Sequence, residues 1–305
     1  MSLELSALRA RWKAHVWALQ DAIVEALRAV DPGLHVLEDI WTRQDHVGAP
    51  GGGGRTRVLS GDVFESGGVN VSEVYGALDP AFAAQLGGGA DDALWAAGIS
   101  LILHPRNPRV PTVHANFRFL SVGDRHHFGG GADLTPYYPH REDFAAFHAH
   151  WRDAIAPLGT WPAWKAWCDR YFANHHRGGE MRGVGGFFFD HWRREELSED
   201  LEAVRRLSEA FVGAYLPIVL RRKDEAYTAE DESFMLWRHG RYVEFNLLHD
   251  RGTIFGLRTN GRTDSILVSL PARATFAYRP TFAEGSPQAA MMALYWPHAW
   301  ADECR

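Results

Sequence analysis

The chain has 305 residues, 46% of them hydrophobic and 23% charged, with a formal net charge of -6. This is a globular composition, long enough for one large domain or two small ones, and its negative balance argues against a nucleic-acid partner. Two distant cysteines, Cys168 and Cys304, make no disulfide framework and favour a reducing cytoplasmic setting, and neither a signal peptide nor a transmembrane segment is expected.

Leu8, Trp12, Val16, Leu19, Ile23, Leu27 and Val30 recur at steps of three and four, which predicts an amphipathic helix stopped by Asp31-Pro32-Gly33. The stretch VGAPGGGGRTRV (47–58) is expected to be a loose connection, either an interdomain linker or a mobile loop beside a site. Strands are predicted at GGVNVSEVYG (67–76), GISLILHP (98–105) and PTVHANFRFL (111–120), the last with strict alternation of polar and apolar residues. Helices follow over 141–155, 161–176 and 198–222, where Pro217 should kink or break the third. Another helix is expected to start at an N-cap, Thr228, and to end before Gly240. GRYVEFNLL (240–248), TIFGLRT (253–259) and DSILVSLPA (264–272) then read as strands joined by the turns HDRG and TNGR into antiparallel hairpins. A final helix begins at Ser286-Pro287. Grouped helices and adjacent strands point to an α+β fold, taken as a single domain over 1–305.

Period two places His114, Asn116 and Arg118 on one face of their strand, about 7 Å apart. Ser100 and His104 share a face of the strand before it, and pairing of the two would bring both histidines and the arginine together. Ordinary solvated strand residues would give the same pattern. The run HHFGGGADLTPYY (126–138) resembles a phosphate loop, yet a Walker loop needs Lys-Ser/Thr after its last glycine, and Ala132-Asp133 follows here. Asp133 would also repel a phosphate. In HDRG and NGR a cation stands beside glycine, which suits either carboxylate binding or plain turns. There is no HExxH motif, but a site drawing single ligands from His104, His114, His148 and His176 is compatible with several transition metals. The residues describe a concave face of His, Asn, Arg, Asp and Gly, suited to a polyanionic organic ligand.

In order along the chain stand GGGGRTRVLSGDVFESGGVNVSEVYG, GISLILHPRNPRVPTVHANFRF, FGGGADLTPYY, WCDRYF, RGVGGFFFD, GRYVEFNLLHDRGTIFGL and GRTDSILVSLP. From about residue 51 to 305 the chain resembles oxygen-dependent coproporphyrinogen III oxidase. The resemblance implies a large flat antiparallel β-sheet sandwiched between α-helices, and a homodimer joined through the region from about Tyr242 to Tyr278. It also implies an enzyme of haem biosynthesis that turns two propionates of coproporphyrinogen III into vinyl groups. The products would be protoporphyrinogen IX, CO2 and H2O2, with molecular oxygen as co-substrate and no organic cofactor.

Carried onto this sequence, the resemblance makes His114 a proton donor, Arg118 the partner of a propionate, and Asp133 an acceptor from pyrrole N–H groups that helps remove a proton. Asp250 and Arg251 would form a second acid–cation pair. Ser100, Asn116, Phe117, Asn260, Gly261 and Arg262 match further substrate contacts. His104, His114, His148 and His176 match histidines proposed to hold a divalent metal, with His176 preferred to His175. The three glycines of FGGGAD would bare the backbone to a flat macrocycle. One departure is the short segment SVGDRHH (121–127), where relatives carry a longer insert ending in two tryptophans. A tetrapyrrole carrier without catalysis, or a mononuclear metal oxygenase, would be the alternative from another class.

Overall fold

A computed structural model of the chain describes residues 3–77, 92–258 and 261–304. The first helix, α1 (Leu3–Val30), ends where expected. The Asp31 carboxylate then accepts the N–H groups of Val63 (2.9 Å) and Phe64 (3.1 Å), tying the turn to the sheet. Six strands follow: β1 (His35–Gln44), β2 (Pro50–Ser60), β3 (Phe64–Ala77), β4 (Ala93–Pro105), β5 (Thr112–Val122) and β6 (Arg125–Thr135). After α2 (Arg141–Ile155), α3 (Trp161–Tyr171) and the two-residue strands β7 (Ala173–Asn174) and β8 (Glu180–Met181), β9 (Gly185–Trp192) pairs with β6. The result is a seven-stranded, wholly antiparallel sheet in the order β1-β2-β3-β4-β5-β6-β9. The remaining helices are α4 (Leu197–Glu209), α5 (Phe211–Arg222), α6 (Ala229–Leu248), α7 (Arg251–Arg258), α8 (Thr263–Leu267) and α9 (Pro287–Met292). The α+β class and the flat sheet with helices agree with expectation.

One face of the sheet carries Val69, Val71, Ile99, Leu101, Leu103, Val113, Ala115, Phe117, Phe119, Ala132, Phe187 and Phe189, all buried in one hydrophobic core with α1, α2, α4 and α5. Trp12 of α1 crosses onto this face, and its indole N–H donates to the Ala97 carbonyl at 2.9 Å. Each large side chain buried here contributes roughly 1.5–3 kcal/mol of transfer free energy. Phe117 is 1% exposed and belongs to this core, so its side chain points away from the polar face of its strand. Strand alternation leaves only its backbone on the side of the substrate contacts expected of it.

Several sequence expectations are corrected. The glycine-rich stretch is no linker: Gly52, Gly53 and Gly54 lie in β2, in register with β3, and two of them also pair with β1. The helix over 198–222 is broken at Ala210, and Pro217 is accommodated inside α5. The expected α3 ends at Tyr171 instead of residue 176. The predicted strands at 240–248 and 253–259 are helical in their described residues, the one at 264–272 is helical to Leu267 and then turns, and no hairpin forms there. The stronger period is 3.6, because Phe234, Arg238, Tyr242 and Phe245 are buried along one stripe of α6. Thr228 does cap α6, through a reciprocal box with Asp231. Gly240 does not end the helix. A Cβ there would stand 2.3 Å from the Thr275 carbonyl, so glycine lets the returning chain cross α6 closely.

Candidate functional site

Cross-strand register builds three rows on the sheet face opposite the main core. The middle row runs Thr56, Asn70, Ser100, Asn116, Gly131 and Phe188. On one side lie Gly54, Ser72, Gly98, Arg118 and Gly129, and on the other Val58, Gly68, Ile102, His114, Asp133 and Gly186. Neighbouring strands are about 4.8 Å apart, so these residues, small or polar apart from Val58, Ile102 and Phe188, floor a broad, shallow trough. Of the three glycines at 129–131, Gly129 and Gly131 belong to this floor and Gly130 faces the core.

The inner end of the trough is dry. Asp133 is 1% exposed and receives two N–H groups from Arg182, at 2.9 Å and 2.7 Å. Arg182 is equally buried, donates to Asn246 Oδ1 at 3.0 Å, and lies over the rings of Phe172, Tyr242 and Phe245. Burial alone would raise the Asp133 carboxyl, but Arg182 and then His114 outweigh it and hold it below its ordinary value. An ionised carboxylate only accepts, so the 2.9 Å contact between His114 Nδ1 and Asp133 Oδ1 is an N–H of the imidazole donating to Asp133. That sets the ring's orientation and tautomer and leaves Nε2 for other chemistry. Asp133 thus has Arg182 and His114 as its protein partners.

The outer end is wetter. Arg118, about one-third exposed, pairs with Asp190 at 2.7 Å and donates to Asn116 Oδ1 at 3.0 Å. A Cβ on Gly129 would stand 2.7 Å from the Arg118 guanidinium and 2.8 Å from the Asp190 carboxylate, so glycine makes room for the pair. Burial tends to raise Asp190, and Arg118 reverses this and keeps it lowered. Sequence reasoning missed both Asp190 and Arg182 as partners. The only signal was a charged residue at either end of the apolar run RGVGGFFFD.

At the wall formed by α3, Tyr171 stacks on Phe188 (4.4 Å, 7°) and its hydroxyl donates to Asp250 at 3.0 Å. Burial, then Asp250, pushes this phenol up to about 12. Asp250 also accepts the Thr253 N–H at 2.7 Å, capping α7. Arg251 lies over the Tyr171 ring, 5.0 Å from its centroid, and not against Asp250, so the expected acid–cation pair does not form. Ser100 is exposed on the floor. Ser265 of α8 meets the floor at Thr56 (2.9 Å) and Asn70 (3.3 Å). Nearby, Arg262 pairs with Asp39 over Trp41, and the Gly261 N–H donates to the Gly256 carbonyl at 2.8 Å. Asn260 lies outside the described residues.

The four histidines expected to share a metal are not gathered. His104 is fully buried, contacts Thr112 Oγ1 and donates to the Ser269 carbonyl, both at 3.1 Å; burial, then His239, holds it well below its usual value. His148 is buried in α2 against the Phe144 carbonyl at 2.7 Å. His176 is partly exposed beside Glu244 and His249. With His114 turned to Asp133, each of the four has its own protein partner. Among the described residues the one group of three with donor atoms close enough for a shared ion is His127, Asp190 and His191. The expected donor set does not fit one ion.

The arrangement is an aligned imidazole, a carboxylate-binding cation and a flat polar floor, suited to proton transfer on a wide polycarboxylate. The family model for coproporphyrinogen III oxidase matches residues 11–300. The chain thus belongs to the coproporphyrinogen III oxidase family, whose members carry out an oxidative decarboxylation that yields protoporphyrinogen IX in haem biosynthesis.

Proposed function

We propose that the trough holds coproporphyrinogen III over its glycine-rich floor, with His114 serving the reacting propionate and Arg118 and Asn116 holding a carboxylate. The family's reaction uses dioxygen as co-substrate. For each propionate, a –CH2–CH2–COOH side chain plus O2 gives –CH=CH2, CO2 and H2O2. One C–C and one C–H bond break, and the two electrons released reduce dioxygen to peroxide. The observation that carries the reading is the buried chain Arg182–Asp133–His114, which presents one imidazole in one tautomer at the inner end of the trough.

In this reading Asp133 acts through His114, since it is already wrapped by Arg182. Arg118 exchanges Asp190 for a substrate carboxylate, or shares it, and Ser100 and Asn70 face the pyrrole N–H groups. Arg251, Gly261 and Arg262, with Asn260, stand on the covering helices and the turn between them, where the outer carboxylates of a four-armed substrate would reach. Leu247 and Leu248 at the end of α6, Leu257 of α7, and Phe276 and Tyr278 on the irregular chain after α8 are exposed apolar side chains, which supports a homodimer through this region. Tyr242 is 1% exposed and stays out of that interface. No described helix is long and apolar enough to cross a membrane.

The test supplies coproporphyrinogen III to the chain and to His114→Gln, with and without oxygen, and follows the divinyl product. The expected outcome is oxygen-dependent product from the chain and a rate lowered roughly 10²- to 10⁴-fold in the variant. Unchanged turnover in His114→Gln would remove the imidazole from the reaction.

A further inference from the structure

We infer that His127, Asp190 and His191, at the rim of the trough, form a binding site for a divalent transition-metal ion of the nickel, copper or zinc class, separate from the four histidines discussed above. All three donor groups fall within 4.8 Å of one another. His127 Nε2 lies 3.8 Å from Asp190 Oδ1, and His191 Nε2 lies 3.9 Å from Asp190 Oδ2. Donors on a tetrahedral ion with bonds near 2.0–2.2 Å stand roughly 3.3 Å apart, so for an ion on Oδ2 the His191 gap must close by about half an ångström and the His127 ring must turn from Oδ1 toward the same oxygen. His191 has the freedom to do it, being 72% exposed. Two imidazoles and one carboxylate are a donor set for these ions, with positions left open for water or another ligand.

The backbone makes the arrangement. Between the pairs Phe128↔Trp192 and Gly130↔Phe189 the register shifts, so Asp190 and His191 together oppose the single residue Gly129. Regular alternation from Phe187 and Phe189 would send residue 191 into the core. Instead His191 takes a left-handed backbone conformation (φ 51°), one of only two non-glycine residues with positive φ among the described residues, and turns outward beside Asp190. Such strain in a non-glycine residue concentrates at functional positions. The rings of His127 and His191 are 4.4 Å apart. Arg118 occupies Asp190 Oδ1, and a carboxylate has acceptor directions to spare, so an ion on Oδ2 leaves that ion pair in place. Repulsion from the guanidinium lowers the affinity without removing the site.

The test needs neither substrate nor turnover, and so stands apart from the function proposed above. The full chain, freed of metal by chelator and dialysis, is titrated calorimetrically with Ni²⁺. Co²⁺ is titrated in parallel, with its visible ligand-field bands as the readout. One ion per chain is expected. His127→Gln and His191→Asn should each weaken binding by more than the roughly 10- to 100-fold that loss of an outer-shell contact costs. Asparagine tolerates the left-handed conformation, so His191→Asn removes the imidazole while keeping the bulge. His176→Ala should bind as the parent does. Absence of Ni²⁺ binding, or equal affinity in both ligand variants, would overturn the site, and loss of binding in His176→Ala alone would move it elsewhere.

Discussion

Two ion pairs lie on the same face of the sheet, two rows apart, in opposite solvents. Arg182–Asp133 is fully enclosed, bidentate, and roofed by three aromatic rings. Arg118–Asp190 is single-contact and its cation is one-third exposed. A buried charge cannot exchange its partner without a large desolvation cost, so the inner pair serves as fixed scaffolding that keeps Asp133 ionised and His114 aligned. The outer pair can open, because water replaces each lost contact at little cost. In the proposed function the enclosed charge positions and the wet charge recognises.

The comparison breaks most sharply at Arg182. Arg182→Met leaves Asp133 buried without a partner and should cost about 3–5 kcal/mol in chemical denaturation, with activity lost. A loss below about 1 kcal/mol would show that the inner pair is not load-carrying scaffolding. At the rim, Arg118→Lys keeps the charge and loses the planar fork. It should raise KM for coproporphyrinogen III roughly 10- to 100-fold, with kcat little changed and stability intact. A dominant loss in kcat would place Arg118 in the chemical step.

Stability against pH separates the enclosed groups from the exposed ones more finely. Burial lowers His148 to about 3 and His239 to about 4, and lowers His104 as well. These rings are neutral when folded and take up protons on unfolding below about pH 6.5. Their contribution is therefore complete above that pH and lost on acidification toward pH 4, at up to about 1.4 kcal/mol per pH unit for each histidine. Asp133, lowered in the fold, adds its own loss only below about pH 4. Denaturation midpoints between pH 7 and 4.5 should fall steeply, and His148→Leu should flatten that slope; an unchanged slope would contradict the enclosed, neutral state of this ring.

The part of the site built from local alternation was readable. The pattern in PTVHANFRFL placed His114, Asn116 and Arg118 on one face, and Ser100 faces the same trough from β4. The partners of these residues were not readable, because they arrive through β6–β9 pairing, a contact of some fifty residues' separation that no local period encodes. Arg182 and Asp190 looked like two charges bounding an apolar run. The helices over 240–267 were misread because short stretches such as GRYVEFNLL satisfy both a two-residue and a 3.6-residue period, and burial along α6 decides for the second. The histidines were visible as residues, yet whether a histidine is a ligand or a satisfied donor depends on what stands opposite it. For His104 that is Ser269 of the chain crossing the sheet.

The central claim is that Asp133 works through His114. Steady-state kinetics of Asp133→Asn with coproporphyrinogen III in air test it most directly, alongside near-UV circular dichroism to confirm a folded chain. The account predicts a folded variant whose kcat falls by more than roughly 10²-fold while KM stays within a few-fold, because the imidazole remains in place in the wrong tautomer. A kcat near that of the parent, or a loss confined to KM, would contradict it.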